Sequence, residues 1–206
     1  KLMMQFSIYM CDHLIVASNT AKREIIEILS IKPNKVSCIY LGIDDKFLNK
    51  GEKNTNLIKN FDYNNYGLSI LSCVRYHNII SLLKAFRSIS KKENSNFKFV
   101  LVMQILDKSY YKEVIKFIND NFNREEVIIF SNIENSYLIN LYRKARFYIF
   151  SSYCEVFGLT SLEAMSQNCP VILSNKSSLK EINSNAAEYF NPDDEIQIEE
   201  RMNKLL

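Results

Sequence analysis

The sequence predicts an α/β protein: a Rossmann-like parallel sheet with helices on both faces, preceded by part of a second Rossmann-like domain. Three observations lead there. Apolar runs of strand length alternate with segments of helical period along nearly the whole chain. The alternation stops once, over 42–66, in a stretch rich in Asn, Lys and Asp that is too long for a connection inside a compact domain. The 206 residues, 47% apolar and 24% charged, are enough for one full domain with chain left over.

Taken in order, His13 to Ala17 reads as a buried strand, Thr20 to Leu29 as a helix with Ile25, Ile26 and Leu29 on one face, and Val36 to Leu41 as a second strand. Two strands and one clear helix cannot cover both faces of a parallel sheet. Residues 1–41 therefore read as the end of an N-terminal domain, and 42–66 as an interdomain linker. From 67 to 206 the alternation is that of a complete domain. Its strands are expected at 68–74, 97–103, 126–130, 146–150, 170–173 and 187–190, and its helices at 78–91, 109–120, 135–144, 160–167, 177–183 and from about 194. A chain holding the end of one domain and the whole of another is expected to be a fragment of a two-domain protein.

Composition narrows the partners. No apolar run approaches the roughly 18–20 residues of a membrane-spanning helix, because the most apolar stretch, Phe97 to Leu106, contains Lys98 and Gln104. No charged-then-apolar leader starts at Lys1, so the expected address is cytoplasmic. A net charge of +3 is too small to imply a nucleic-acid partner. It does hide an asymmetry: Lys and Arg outnumber Asp and Glu by nine to six over 1–60 and thirteen to eight over 61–150, and fall behind by four to nine over 151–206. The basic groups Lys91-Lys92, Lys108-Lys112-Lys116 and Arg143-Lys144-Arg146 read as solvated helix faces; the same charges would support peripheral contact with anionic lipid at the inner face of a membrane. Five widely spaced cysteines, none in a C-x-x-C pair, suit reduced core thiols and give no ligand set for a structural metal.

The window from Ser151 to Met165 carries the chemistry. It follows an apolar strand, turns at Gly158 and opens a helix, which places the amides of Gly158, Leu159 and Thr160 at a helix N-terminus suited to phosphate. Glycine is scarce, four in 206 against a usual share of about 7%, and one of the four stands at this turn. Glu155 before the turn and Glu163 after it can point into one mouth at the C-terminal edge of the sheet, where open α/β sheets bind ligands. Carboxylates there accept hydrogen bonds from the vicinal hydroxyls of ribose or hexose. A second reading of Glu163 is purely local: Thr160-Ser161-Leu162-Glu163 has the form of a capping box.

The same window resembles the E-x7-E motif of the retaining, nucleotide-sugar-dependent glycosyltransferases of family 4 (group 1), usually E-G-F-G-L-x-x-L-E-A-M. Leu141-Tyr142-Arg143-Lys144-Ala145 with Phe147 to Ser152, and Cys169-Pro170-Val171-Ile172, resemble the family's entry to and exit from it. Ser177 to Ile182 and Ala186 to Pro192 are similar to later donor-domain elements, and Cys11 to Ser18 and Ile39 to Asp44 to the end of the acceptor domain. The resemblance implies a GT-B fold of two Rossmann-like domains, with 67–206 as the nucleotide-sugar donor-binding domain. It implies transfer of a sugar from a nucleotide diphosphate sugar to a hydroxyl acceptor with retention, with no cofactor and no essential metal. The acceptor would be a saccharide or a lipid-linked saccharide in surface polysaccharide or glycolipid synthesis.

By position in the motif, Glu155 would be the catalytic carboxylate at the donor sugar and Glu163 would bind the ribose. Phe157, Gly158, Leu159 and Thr160 would hold sugar and diphosphate, and Arg75 would pair with the diphosphate. His77 stands where the family usually has a lysine, and Val156, Met103 and Asn168 stand where it commonly has glycines. A neutral imidazole brings no fixed charge, which keeps a non-catalytic sugar-nucleotide-binding or scaffold protein of the same fold as the alternative. Without the rest of the acceptor domain, the chain alone is expected to bind donor and not to transfer sugar.

Overall fold

Ser18 opens the first helix by accepting the Ala21 N–H at 3.1 Å, in the computed structural model, which describes residues 6–8, 10–48, 65–93, 97–131 and 133–206. This helix, α1 (Asn19–Leu29), ends at Ser30 in the left-handed region and joins the parallel strands β1 (Leu14–Val16) and β2 (Val36–Cys38). The sequence suggests a buried strand at 13–17, yet Ile15 is 68% exposed. Alternate side chains of a strand point to opposite faces, and α1 covers only one of them. His13 is likewise exposed, with its Nε2 2.8 Å from the Ser37 hydroxyl.

Within 42–66, the span read from sequence as linker, Asp45–Leu48 form a single helical turn, α2, and residues 49–64 lie outside the described residues. Phe47 explains why this turn is ordered. Its ring is buried, 6.3 Å from that of Tyr142, and its carbonyl accepts hydrogen bonds from the Gln167 amide and from Ser166 Oγ (3.2 Å).

The larger sheet contains β3 (Tyr66–Cys73), β4 (Lys98–Ile105), β5 (Val127–Phe130), β6 (Phe147–Phe150), β7 (Val171–Ser174) and β8 (Glu188–Phe190). All pairings are parallel, in the order β5-β4-β3-β6-β7-β8. The helices between them are α3 (Ile79–Glu93), α4 (Lys108–Asn121), α5 (Asn135–Lys144), α6 (Leu159–Ser166) and α7 (Leu179–Asn183), with α8 (Glu195–Lys204) after β8. The chain winds outward from β3 through β5, then returns to β6 and winds the other way. That reversal puts helices on both faces and leaves a crevice between the C-terminal ends of β3 and β6.

Local chemistry agrees with this layout. Asp107 caps α4 through the Ser109 and Tyr110 amides, and Asp194 caps α8 through Ile196 and Gln197, each worth about 1 kcal/mol. Phe86 stacks between Phe99 and Phe122 at 5.2 and 5.5 Å, and such rings contribute about 1.5–3 kcal/mol each on burial. Gly67 pairs directly with Phe147, and a Cβ at this position would lie 2.6 Å from the Phe147 ring. The close fit of β3 on β6 therefore requires glycine there. Asn168, which stands in place of a family glycine, takes φ 60, the left-handed conformation that Asn tolerates.

Candidate functional site

The buried strand β6 delivers the chain to the sheet edge, and the loop after it is tied down at once. Ser151 Oγ donates to the His77 carbonyl at 2.7 Å, and the Tyr153 amide donates to the Tyr76 carbonyl at 2.8 Å. The loop ends at Gly158, which has φ 88 and precedes the first residue of α6. A Cβ there would sit 2.6 Å from Leu179 Cδ2, so conformation and space both favour glycine. The α6 N-terminus then faces the crevice; the Ser161 amide donates to the Gly158 carbonyl at 3.1 Å, and the Leu159 and Thr160 amides before it have no helical acceptor.

A cavity of about 610 Å³ lies at this point. Its walls are the C-terminal ends of β3 (Ile70, Leu71, Ser72) and β4 (Val102, Met103, Gln104), Phe150 of β6, His77, and the run from Glu155 to Thr160. Leu41, from the N-terminal segment, closes one side, and Ile133 and Leu138 another. His77, Glu155, Phe157, Gly158, Leu159 and Thr160, all expected from sequence, are thus brought together.

His77 and Glu155 form the polar centre. Their side chains are 7% and 22% exposed, and His77 Nε2 lies 3.2 Å from Glu155 Oε1. Nδ1 lies 2.6 Å from the Ser72 carbonyl, which only accepts, so Nδ1 carries a proton. Both ring nitrogens therefore face oxygen, and with a second proton on Nε2 the pair is an ion pair. The Tyr76 and Phe150 rings hold the imidazole edge-on at 4.6 and 5.1 Å. Ser177 Oγ and Ser178 Oγ each donate to the Glu155 carbonyl at 2.7 Å, which anchors the loop from the other side.

Arg75 and Glu163 are placed differently. Arg75 lies in the same 3-10 turn as His77, but its side chain is 60% exposed and forked onto Glu113 of α4, with Nη1 3.0 Å from Oε2. Its guanidinium also lies 5.2 Å over the Tyr110 ring. Glu163 is the fifth residue of α6 and accepts the Tyr142 hydroxyl at 3.0 Å. Burial pushes its carboxyl above the ordinary value; the Tyr142 hydrogen bond opposes this, and Asp44 and Lys46 act on it from the N-terminal side. Neither residue lines the cavity. The capping-box reading of Glu163 does not hold, because α6 begins after Gly158 and Thr160 is already inside the helix, where its hydroxyl accepts from buried Tyr148 at 2.7 Å.

The core-thiol reading applies to Cys73 and Cys169, which are buried and have thiols pushed up to about 11 and about 12, mainly by burial. Cys154 is exposed, and Cys11 and Cys38 are half-buried.

Sequence reasoning missed Glu181 and Tyr40. Glu181, on α7, reaches the N-terminus of α1, and Tyr40 packs against Phe157 with ring centroids 6.0 Å apart. One signal was present: the first turn of α1 contains no acid, so its amides are left for a carboxylate from elsewhere.

Comparison with known proteins sets this geometry in context. A family described as Glycosyl transferases group 1 matches residues 45–206. The O-antigen chain mannosyltransferase RfbU of Salmonella typhimurium is 28% identical over 196 residues, covering 95% of this chain and 51% of that protein. The serotype-specific mannosyltransferase WbdA of Escherichia coli is 25% identical over 199 residues, 95% of this chain and 24% of that protein. Among solved structures, sucrose-phosphate synthase from Thermosynechococcus elongatus superposes with a TM-score of 0.81 at 19% identity, over 99% of this chain and 51% of that one. The chain thus spans about half the length of the first of these relatives. Its fold is one half of a GT-B architecture: the six-stranded sheet and a small two-stranded sheet.

Proposed function

The chain belongs to the Glycosyl transferases group 1 family, and from that premise we propose that it contains the donor half of a retaining transferase that moves a sugar from a nucleotide diphosphate sugar to a hydroxyl acceptor. The observation that carries this reading is the Glu155–His77 pair standing before the α6 N-terminus in a cavity at the sheet's reversal point. Glu155 accepts a hydrogen bond from a donor-sugar hydroxyl. The amides at Leu159 and Thr160 and the positive end of α6 stabilise the departing diphosphate, an electrostatic role that grows as charge develops on the leaving group. His77 adds a donor to the same wall. Glu163 holds the ribose, and Arg75 reaches the diphosphate by exchanging Glu113 for it.

Because RfbU is named an O-antigen chain mannosyltransferase and WbdA a serotype-specific mannosyltransferase, the proposed sugar is mannose. The proposed acceptor is a lipid-linked saccharide of surface polysaccharide synthesis. Among the described residues no helix is long and apolar enough to cross a membrane.

The test is to incubate the full-length protein with labelled nucleotide sugars and a panel of lipid-linked acceptors. Acceptor-dependent transfer from a mannose donor, with the anomeric configuration kept, supports the proposal. Tight donor binding without turnover on any acceptor supports the non-catalytic alternative.

A further inference from the structure

The carboxylate of Glu181 is saturated by the N-terminal segment. Its Oε1 accepts the Asn19 N–H at 2.7 Å and the Tyr40 hydroxyl at 2.8 Å; its Oε2 accepts the Thr20 N–H and the Thr20 hydroxyl, both at 2.7 Å. Burial alone would raise this carboxyl, but the hydrogen bonds from Thr20, Asn19 and Tyr40 outweigh it and hold the group at about 2. Ser18 caps the third amide of α1, and Glu181 caps the first two from a distance of 162 residues. One helix start is thus completed by two different parts of the chain.

The helix that carries Glu181 is also fastened to the cavity. Ser177 and Ser178, at its entrance, hold the Glu155 carbonyl. Asn183, at its end, accepts from Ser161 Oγ of α6 at 2.8 Å, and Leu179 fills the space beside Gly158. On the other side, Tyr40 packs on Phe157 and its neighbour Leu41 lines the cavity.

We propose that Glu181 is a positioning residue: by capping α1 it locks the N-terminal segment onto α7, and so sets the Tyr40–Leu41 wall and the Glu155 loop at their working separation across the cavity. The proposal rests on the reading of that cavity as the donor site. Glu181 itself does not line it, so its effect on sugar transfer runs through geometry. Nucleotide contacts proposed for the second domain alone stay in place when the lock opens, and the approach of the acceptor side is lost.

The first test needs no activity. In the 206-residue chain, amide hydrogen exchange at Asn19 and Thr20 is measured by NMR for the wild type, Glu181→Gln and Tyr40→Phe. At least tenfold faster exchange at both amides in Glu181→Gln is expected, with a smaller increase in Tyr40→Phe. Unchanged exchange overturns the lock. The second test uses the full-length protein. Both variants should lower kcat for transfer, Glu181→Gln by tenfold or more, while donor KM stays within about twofold. Wild-type kcat in both, or a loss that falls on donor KM alone, overturns the positioning role. If Glu181→Gln does not fold, Tyr40→Phe carries the same decision. If the wild-type protein transfers no sugar, the donor reading has failed, and the exchange result still decides the lock.

Discussion

Glu155, on the loop before α6, and Glu181, on α7, stand on neighbouring segments joined by two serine hydrogen bonds, yet their carboxylates are spent differently. All of the acceptor capacity of Glu181 goes to protein donors on the N-terminal segment. Among the described residues the Glu155 carboxylate has one side-chain partner, His77, and it opens on the cavity. A carboxylate whose lone pairs are all taken by backbone and hydroxyl donors can hold a structure together but has nothing to offer a ligand. One that keeps acceptor capacity beside a helix N-terminus can receive a sugar hydroxyl without the fold being rearranged.

The contrast breaks most visibly at Glu155. In the full-length protein Glu155→Gln should lower kcat by about 10²-fold or more, the scale of losing one group that acts on the reacting centre; steady-state transfer with labelled donor measures it, and near-wild-type turnover would place Glu155 with the structural glutamates. Glu163 is an intermediate case, with one protein partner and a half-buried carboxyl. Glu163→Ala should weaken nucleoside diphosphate binding by roughly 1–3 kcal/mol, read by calorimetry in the presence of a chelator, and unchanged affinity would leave it as a partner of Tyr142 only.

A pH titration sharpens the Glu181 side. Its folded value is lowered from 4.5 to about 2, so the stabilisation is fully present above 4.5 and is lost progressively as the pH falls towards 2. Protection of the Asn19 and Thr20 amides should fade over that interval and stay flat above pH 5. The smallest effect concerns Arg75. Its pair with Glu113 is exposed and screened by solvent, so little is lost when it is given up. If Arg75 also serves the diphosphate, Glu113→Gln should tighten donor binding by up to about fivefold, and no change would leave Arg75 on α4.

The sheet was legible because its strands advertise themselves: Phe147 to Phe150 are apolar and all buried, and the helix that precedes them runs Asn135–Lys144, as its period suggests. The loop from Glu155 to Thr160 was legible through one rare glycine and the family pattern around it. Less legible was whatever depends on a partner far away in sequence. The exposure of Ile15 follows from what packs on β1, and the order of Asp45–Leu48 follows from where Phe47 finds a pocket. Thr160-Ser161-Leu162-Glu163 has the letters of a capping box, but the left-handed Gly158 starts the helix earlier and leaves Glu163 to Tyr142. Glu181 lay beyond any local pattern, since its four donors come from residues 19, 20 and 40.

That separation also has a bearing on time. A helix turn such as the start of α1 forms within about a microsecond once its residues are free, whereas chains are synthesised at about 5–20 residues per second. Asn19 and Glu181 are 162 residues apart, so roughly 10–30 s pass between the appearance of the helix start and that of the carboxylate that finishes its cap. Through that interval Ser18 alone holds the turn, and the exposed apolar side chains Ile15, Ile28 and Ile39 depend on other means of staying out of aggregates. A bond made so late belongs to the end of folding. Weakening it should hasten opening and leave the rate of first folding nearly as it was.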